Sequence, residues 1–157
     1  MKLAKLLTAD QIILDMKAVE HWPAILELVE HLTATGQLPE AEHDEMLKAF
    51  RIREDSVSTG IGSGVAIPHA FSDHLEHVIA VFGRSRQGID FEALDDKPVH
   101  FIILFIVPRK NYHLHLQTLA AIAKMFTNSE VLRQLGAAEC HEEILAIFDS
   151  RPARVGA

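Results

Sequence analysis

Val99-His100-Phe101-Ile102-Ile103-Leu104-Phe105-Ile106-Val107 is the most apolar stretch of the chain. Its apolar residues run on almost without a break instead of alternating, the pattern of a central strand covered on both faces. Pro108 ends it, because proline has no N–H to give to a ladder. As a helix the run would reach about half the thickness of a bilayer, and it carries His100. A strand of this kind needs a layer on each side.

Helical spacing supplies those layers. Upstream, Ile25, Leu28, Val29 and Leu32 fall on one face, with Pro23 in the first turn and Gly36 as the stop. Residues 40–53 read as a second helix with Met46, Leu47 and Phe50 turned inward. Downstream, a helix opened by His113 or His115 carries Leu116, Leu119, Ala120, Ala123 and Phe126 on its inner side. Asn128 and its neighbours cap a short helix over residues 130–135, which Gly136 terminates. A last helix over residues 142–148 presents Ile144, Leu145 and Phe148. Ile12-Ile13-Leu14 and Val78-Ile79-Ala80-Val81-Phe82 read as further strands. Residues 84–96 read as mostly loop, with a short β element around Ile89-Asp90-Phe91. The expectation is an α/β three-layer sandwich: one domain over residues 1–150, then a frayed tail over 151–157.

A chain of 157 residues, 48% of them hydrophobic, is long enough for a sizeable core. Its formal charge of −7 argues against a nucleic-acid surface. The single cysteine, Cys140, excludes an internal disulfide, and its acidic neighbours Glu139 and Glu142 disfavour a thiolate. With no signal-peptide pattern and no span of membrane length, a cytoplasmic protein is expected.

The chemistry gathers at Thr59-Gly60-Ile61-Gly62-Ser63-Gly64-Val65-Ala66-Ile67-Pro68-His69. The glycines permit backbone geometry that side chains would crowd. Val65, Ala66 and Ile67 then read as a short buried strand, and Pro68 holds Ile67 extended. His69 is delivered at the end of a rigid apolar element. A neutral imidazole there is suited to attack a phosphoryl group and hold it as a phosphoramidate. Amides of the turn, at Gly60 and Gly62, and the hydroxyls of Thr59 and Ser63 are candidate donors to phosphoryl oxygens. His115, early in the helix after the central strand, and Arg53, just before the glycine turn, are candidates to balance the negative charge. His113 lies two positions away and is not chosen over His115.

No cofactor or metal is expected. His69, His74, His77, His113 and His115 lack a cysteine pair or an HExxH arrangement for zinc, and the glycine spacing fits neither a dinucleotide fingerprint nor a P-loop.

Arg53-Glu54, Ser58-Thr59-Gly60-Ile61-Gly62, Val65-Ala66-Ile67-Pro68-His69 and His115-Leu116-x-x-Leu119 closely resemble the type-2 EIIA domain of the phosphoenolpyruvate-dependent phosphotransferase system. This is the fructose/mannitol class, which includes freestanding nitrogen-regulatory members. The resemblance covers roughly residues 3–148 and implies a mixed sheet between helices. It also implies that His69 is the phosphoacceptor, with His115 and Arg53 matching the second histidine and the arginine of the family's site. An HPr-like phosphocarrier is the implied donor. Regulatory targets are the implied outlet, with an EIIB protein of sugar uptake as the alternative. From a different class, a non-catalytic module whose His69 loop recognises a basic partner is the competing reading.

Overall fold

The computed structural model describes residues 3–56, 58–110 and 112–150. Six strands form one sheet: β1 (Ile12–Ile13), β2 (Gly60–Gly62), β3 (Val65–Ala66), β4 (His69–Ser72), β5 (Ile79–Ile89) and β6 (Val99–Pro108). Five helices cover it: α1 (His21–Ala34), α2 (His43–Ser56), α3 (Tyr112–Met125), α4 (Ser129–Ala137) and α5 (His141–Ser150). The sheet order is β1-β5-β6-β3-β2, with β4 also on β6. The β5–β6 and β2–β3 pairs are antiparallel and the rest parallel, so the sheet is mixed.

Period-two alternation along β6 sorts its side chains between two cores. Ile103, Phe105 and Val107 pack with Leu119, Ile122, Phe126, Val131, Leu135, Ile144 and Phe148 of α3, α4 and α5. Ile102, Leu104 and Ile106 face the other way, toward Ile25, Leu28, Val29, Leu32, Met46 and Phe50 of α1 and α2. The layers are α/β/α, as the uninterrupted apolar run required. On the α3–α5 side, Phe148 meets Phe82 edge-on at 5.3 Å between ring centroids and Phe126 at 5.9 Å. Burying one such ring contributes about 2–3 kcal/mol.

Against β6, β3 and β4 behave as one strand. Val65 lies beside Phe101, Ala66 beside Ile102 and His69 beside Phe105, a constant register across the Ile67-Pro68 interruption. Pro68 keeps its place in this ladder through its carbonyl, which accepts from the Phe105 amide at 2.9 Å. β2 accompanies only the first part. Its last link is the Ile67 amide, which donates to the Thr59 carbonyl at 3.1 Å. The next residue, Pro68, turns its carbonyl toward β6, so its missing N–H falls on that inner side and not on the edge that β2 leaves.

Several expectations are corrected. His69 begins β4 rather than ending a strand, and the chain turns after Ser72. Gly60–Gly62 is itself a strand, with the left-handed positions at Gly62, Ser63 and Gly64 forming the hairpin tip (φ 96°, 58° and 81°). The loop expected from residue 84 is the second half of β5, with Arg84 and Ser85 buried. Polar identity misled there, because Arg84 is satisfied by backbone carbonyls inside the fold and the Ser85 hydroxyl oxygen accepts from the Gly88 amide. α4 runs through Gly136 to Ala137, and in α3 Ile122 is buried while Ala120 is exposed. The expected Asn128 cap is present, its Oδ1 accepting from the Glu130 and Val131 amides at 2.9 and 3.1 Å. The tail over residues 151–157 lies outside the described residues.

In β2, Gly60 is required for space. A β-carbon there would stand 2.8 Å from Ala93 Cβ and 2.9 Å from Ala93 Cα. Since backbone must move to make room, Gly60→Ala should cost about 1–3 kcal/mol in a guanidinium titration.

Candidate functional site

His69 is half-buried at the start of β4, on the α3 side of the sheet with Phe105 and Phe71. Its Nδ1 lies 2.9 Å from the carbonyl oxygen of Ile67. A carbonyl only accepts, so Nδ1 carries the proton and Nε2 keeps the lone pair. Between the two residues stands Pro68, whose ring fixes its own φ and holds Ile67 extended.

His115 is the fourth residue of α3 and is half-buried. The start of that helix is fixed over β4, where Tyr112 packs edge-on against Phe71 at 5.8 Å. Arg109, whose guanidinium lies 5.6 Å from the Phe71 ring, also pairs with Asp73 at 2.6 Å and ties the ends of β4 and β6 together. Arg53 stands half-buried in the last turn of α2, a helix that packs against β4 from the opposite layer.

The supporting residues divide. Thr59 is beside Ile67, and its buried hydroxyl donates to Glu54 Oε1 at 2.8 Å. Gly60 lies against Ala93. Gly62 and Ser63 are at the hairpin tip, where the Ser63 amide donates to Asp95 at 3.0 Å. From Val65 to His69 the strand climbs four residues, about 13 Å. The structure therefore sets the tip apart from His69 and leaves Thr59 as the nearest of the four in the ladder.

Reasoning from sequence passed over Glu54. It is 8% exposed, and its Oε1 gathers His21 Nε2 at 2.7 Å together with the Thr59 hydroxyl. A line of hydrogen bonds results: His21 to Glu54, Glu54 to Thr59, Thr59 carbonyl to Ile67 amide, Ile67 carbonyl to His69. The available signal was an acid immediately after Arg53 and five residues before Thr59, at the end of a helix.

Other histidines have structural partners. His31 and His100 bind the carbonyls of Asp10 and Ser85, at 2.6 and 2.8 Å. His74 lies 3.2 Å from Glu42 and 3.3 Å from Glu45, and among the described residues these three form the only cluster with metal-ligand spacing. Of the histidines weighed for zinc, His74 belongs to it and His69, His77, His113 and His115 do not. Glu42, more than any other neighbour, raises the His74 pKa, and Glu45 adds to it. A raised folded-state value stabilises below the ordinary value of 6.5, and that contribution disappears as pH rises through the folded value. His74→Gln should therefore lower the melting temperature at about pH 5.5 and leave it nearly unchanged at about pH 9.

Among the described residues no helix is long and apolar enough to cross a membrane.

A mixed sheet between helix layers matches the fold of a phosphotransferase-system EIIA domain. The crystal structure of nitrogen regulatory protein IIA-Ntr from Neisseria meningitidis superimposes with a TM-score of 0.84 at 29% identity, covering 93% of this chain and 98% of that one. The chain belongs to the family described as "Phosphoenolpyruvate-dependent sugar phosphotransferase system, EIIA 2", which matches residues 5–151. It is 34% identical over 125 residues to the nitrogen regulatory protein of Escherichia coli (strain K12), covering 78% of this chain and 75% of that one. It is also 33% identical over 149 residues to the fructose-specific EIIABC component of Bacillus subtilis (strain 168). That alignment takes in 95% of this chain but spans only 23% of the relative.

Proposed function

We propose that the protein is a phosphocarrier that takes a phosphoryl group on His69 Nε2 from the phosphohistidine of an HPr-like protein and uses its phosphorylation state to control partners. The observation that carries this is the commitment of His69 Nδ1 to the Ile67 carbonyl on a half-exposed ring. In the transfer, the Nε2 lone pair forms the new P–N bond. The donor's P–N bond breaks, and its electrons return to the donor ring. The positive charge that the His69 ring acquires is shared over the ring and stabilised by the Ile67 carbonyl, which accepts the hydrogen bond from Nδ1–H.

His115 and Arg53 would steady the phosphoryl oxygens. Tyr112 packs on Phe71, which lies two strand residues, about 7 Å, beyond His69. A helix running back over the sheet advances about 4.5 Å from Tyr112 to His115, which supports a place for His115 beside His69. Support for Arg53 is its half-buried place in the last turn of α2, just ahead of Thr59, on a helix that packs on β4 from the layer opposite His69. Thr59, its buried hydroxyl already donated to Glu54, would act through its ladder bond to Ile67 and not on the phosphoryl oxygens themselves. A transferred phosphoryl group adds about −1.5 to −2 charges and three strong acceptors to this surface, which is enough to change what docks on it.

The test uses phosphoenolpyruvate and the general donor proteins of the phosphotransferase system. Expected is one acid-labile, alkali-stable phosphate per chain, with a phosphorus resonance of Nε2-phosphohistidine. Absence of label from every donor would leave the non-catalytic module. The fructose-specific relative favours a second reading, in which the group passes to an EIIB protein. Rapid loss of label to EIIB, with no partner that distinguishes the two phosphorylation states, would select it.

A further inference from the structure

On the α1/α2 side of the sheet, away from the His69 face, lies a cavity of about 230 Å³ lined by His21, Trp22, Arg51, Glu54, Asp55 and Glu92. Its wall contains an unfinished hydrogen-bond set. Glu54 is more than nine-tenths buried, its Oε1 is used by His21 and Thr59, and its Oε2 has no partner among the described residues. A buried carboxyl oxygen without a donor is costly, and a guest that brings one relieves the cost.

The lining says what kind of guest. Three carboxyl side chains face a single guanidinium, and that one is engaged: Arg51 Nε lies 3.4 Å from Asp55, and its guanidinium carbon lies 5.0 Å from the Trp22 ring centroid. The excess negative charge favours a cation with N–H donors. A bare metal ion fits poorly, because no three ligand atoms of these residues come within 4.8 Å of one another. The volume suits a few heavy atoms, and the indole offers an apolar wall for methylene groups.

We propose that this cavity binds the ammonium group of a small aliphatic amine, with Glu54 Oε2 as the principal acceptor and Glu92 and Asp55 supplying the surrounding negative field. The same chemistry could arrive on a free diamine or on the lysine side chain of a partner, and the test separates them. The site does not depend on phosphoryl chemistry at His69. It is connected to that residue, because the carboxylate that receives the guest also holds Thr59, and through it Ile67.

Trp22 is the only tryptophan of the chain, so its emission reports on the cavity. The full chain is titrated with putrescine, with 1,4-butanediol and sodium chloride at matched ionic strength as controls, while heats are read calorimetrically. Expected is a saturable response to putrescine and none to the diol or the salt. Glu54→Gln should weaken it about tenfold, the order of a hydrogen bond to a charged group. Because that change also touches Thr59, Glu92→Gln at the exposed rim is the second variant, expected to weaken binding about threefold. Nα-acetyl-lysine amide binding more tightly than putrescine would keep the site and assign it to a partner's lysine. No saturable heat or emission change with either amine, a response matched by salt or diol, or affinity unchanged in both variants overturns the proposal.

Discussion

With alanine at position 69, no phosphate is taken up from the donor chain, while the unfolding free energy stays within about 1 kcal/mol of the parent. The split follows from where the ring sits. His69 is half-exposed and makes one hydrogen bond, to a carbonyl two residues away, so its removal opens little cavity. All of its proposed chemistry resides in Nε2. His115→Ala and Arg53→Ala should behave differently, retaining uptake at rates reduced on the order of 10²-fold, since each only stabilises transferring charge. The measurements are label incorporation over time and a denaturant titration on the same preparations. A fully labelled His69→Ala chain would place the acceptor elsewhere.

The second large effect concerns stability and lies far from that chemistry. Among the described residues Arg84, 2% exposed on β5, forms no carboxylate ion pair and is held by three backbone carbonyls. Its Nε donates to Leu14 at 3.0 Å, and its Nη1 to Leu135 at 2.9 Å and Ala138 at 2.6 Å. The last two are end carbonyls of α4, so a strand arginine completes a helix C-terminus that has no left-handed glycine to close it. Burial pushes its guanidinium pKa down, and neighbouring Arg86 pushes the same way. Arg84→Met fills similar space but strands those carbonyls, so it should cost about 3 kcal/mol or more. In a chain of this size the melting temperature would fall by about 6–12 °C. Arg84→Lys should recover little, because an ammonium cannot span the fork. Arg86→Met removes an exposed pair with Asp15 and should change stability by less than about 1 kcal/mol.

Arg84 also marks where the sequence was hard to read. β6 was legible because an uninterrupted apolar run has few structural meanings, and α1 was legible because four residues recur at one spacing. The second half of β5 carries arginine, serine and glycine, and it is tertiary carbonyls that make Arg84 acceptable inside. Gly136 looked like a stop, but the agent that stops α4 comes from a strand more than forty residues earlier. At the site, His69 was visible from Pro68 and the strand before it. The separation of Gly62 and Ser63 from His69 was not visible, since it depends on which residue of β6 each strand residue faces. Glu54 was hidden for a similar reason: its partners His21 and Thr59 come from different elements.

The proline between β3 and β4 has one more consequence. It stands where the sheet gives up its outer strand, and the strand that follows is only four residues long. An intruding chain seeking to zip onto this margin runs out of ladder within those four residues. This end of the molecule can therefore be visited by other proteins without acting as a seed for polymer growth.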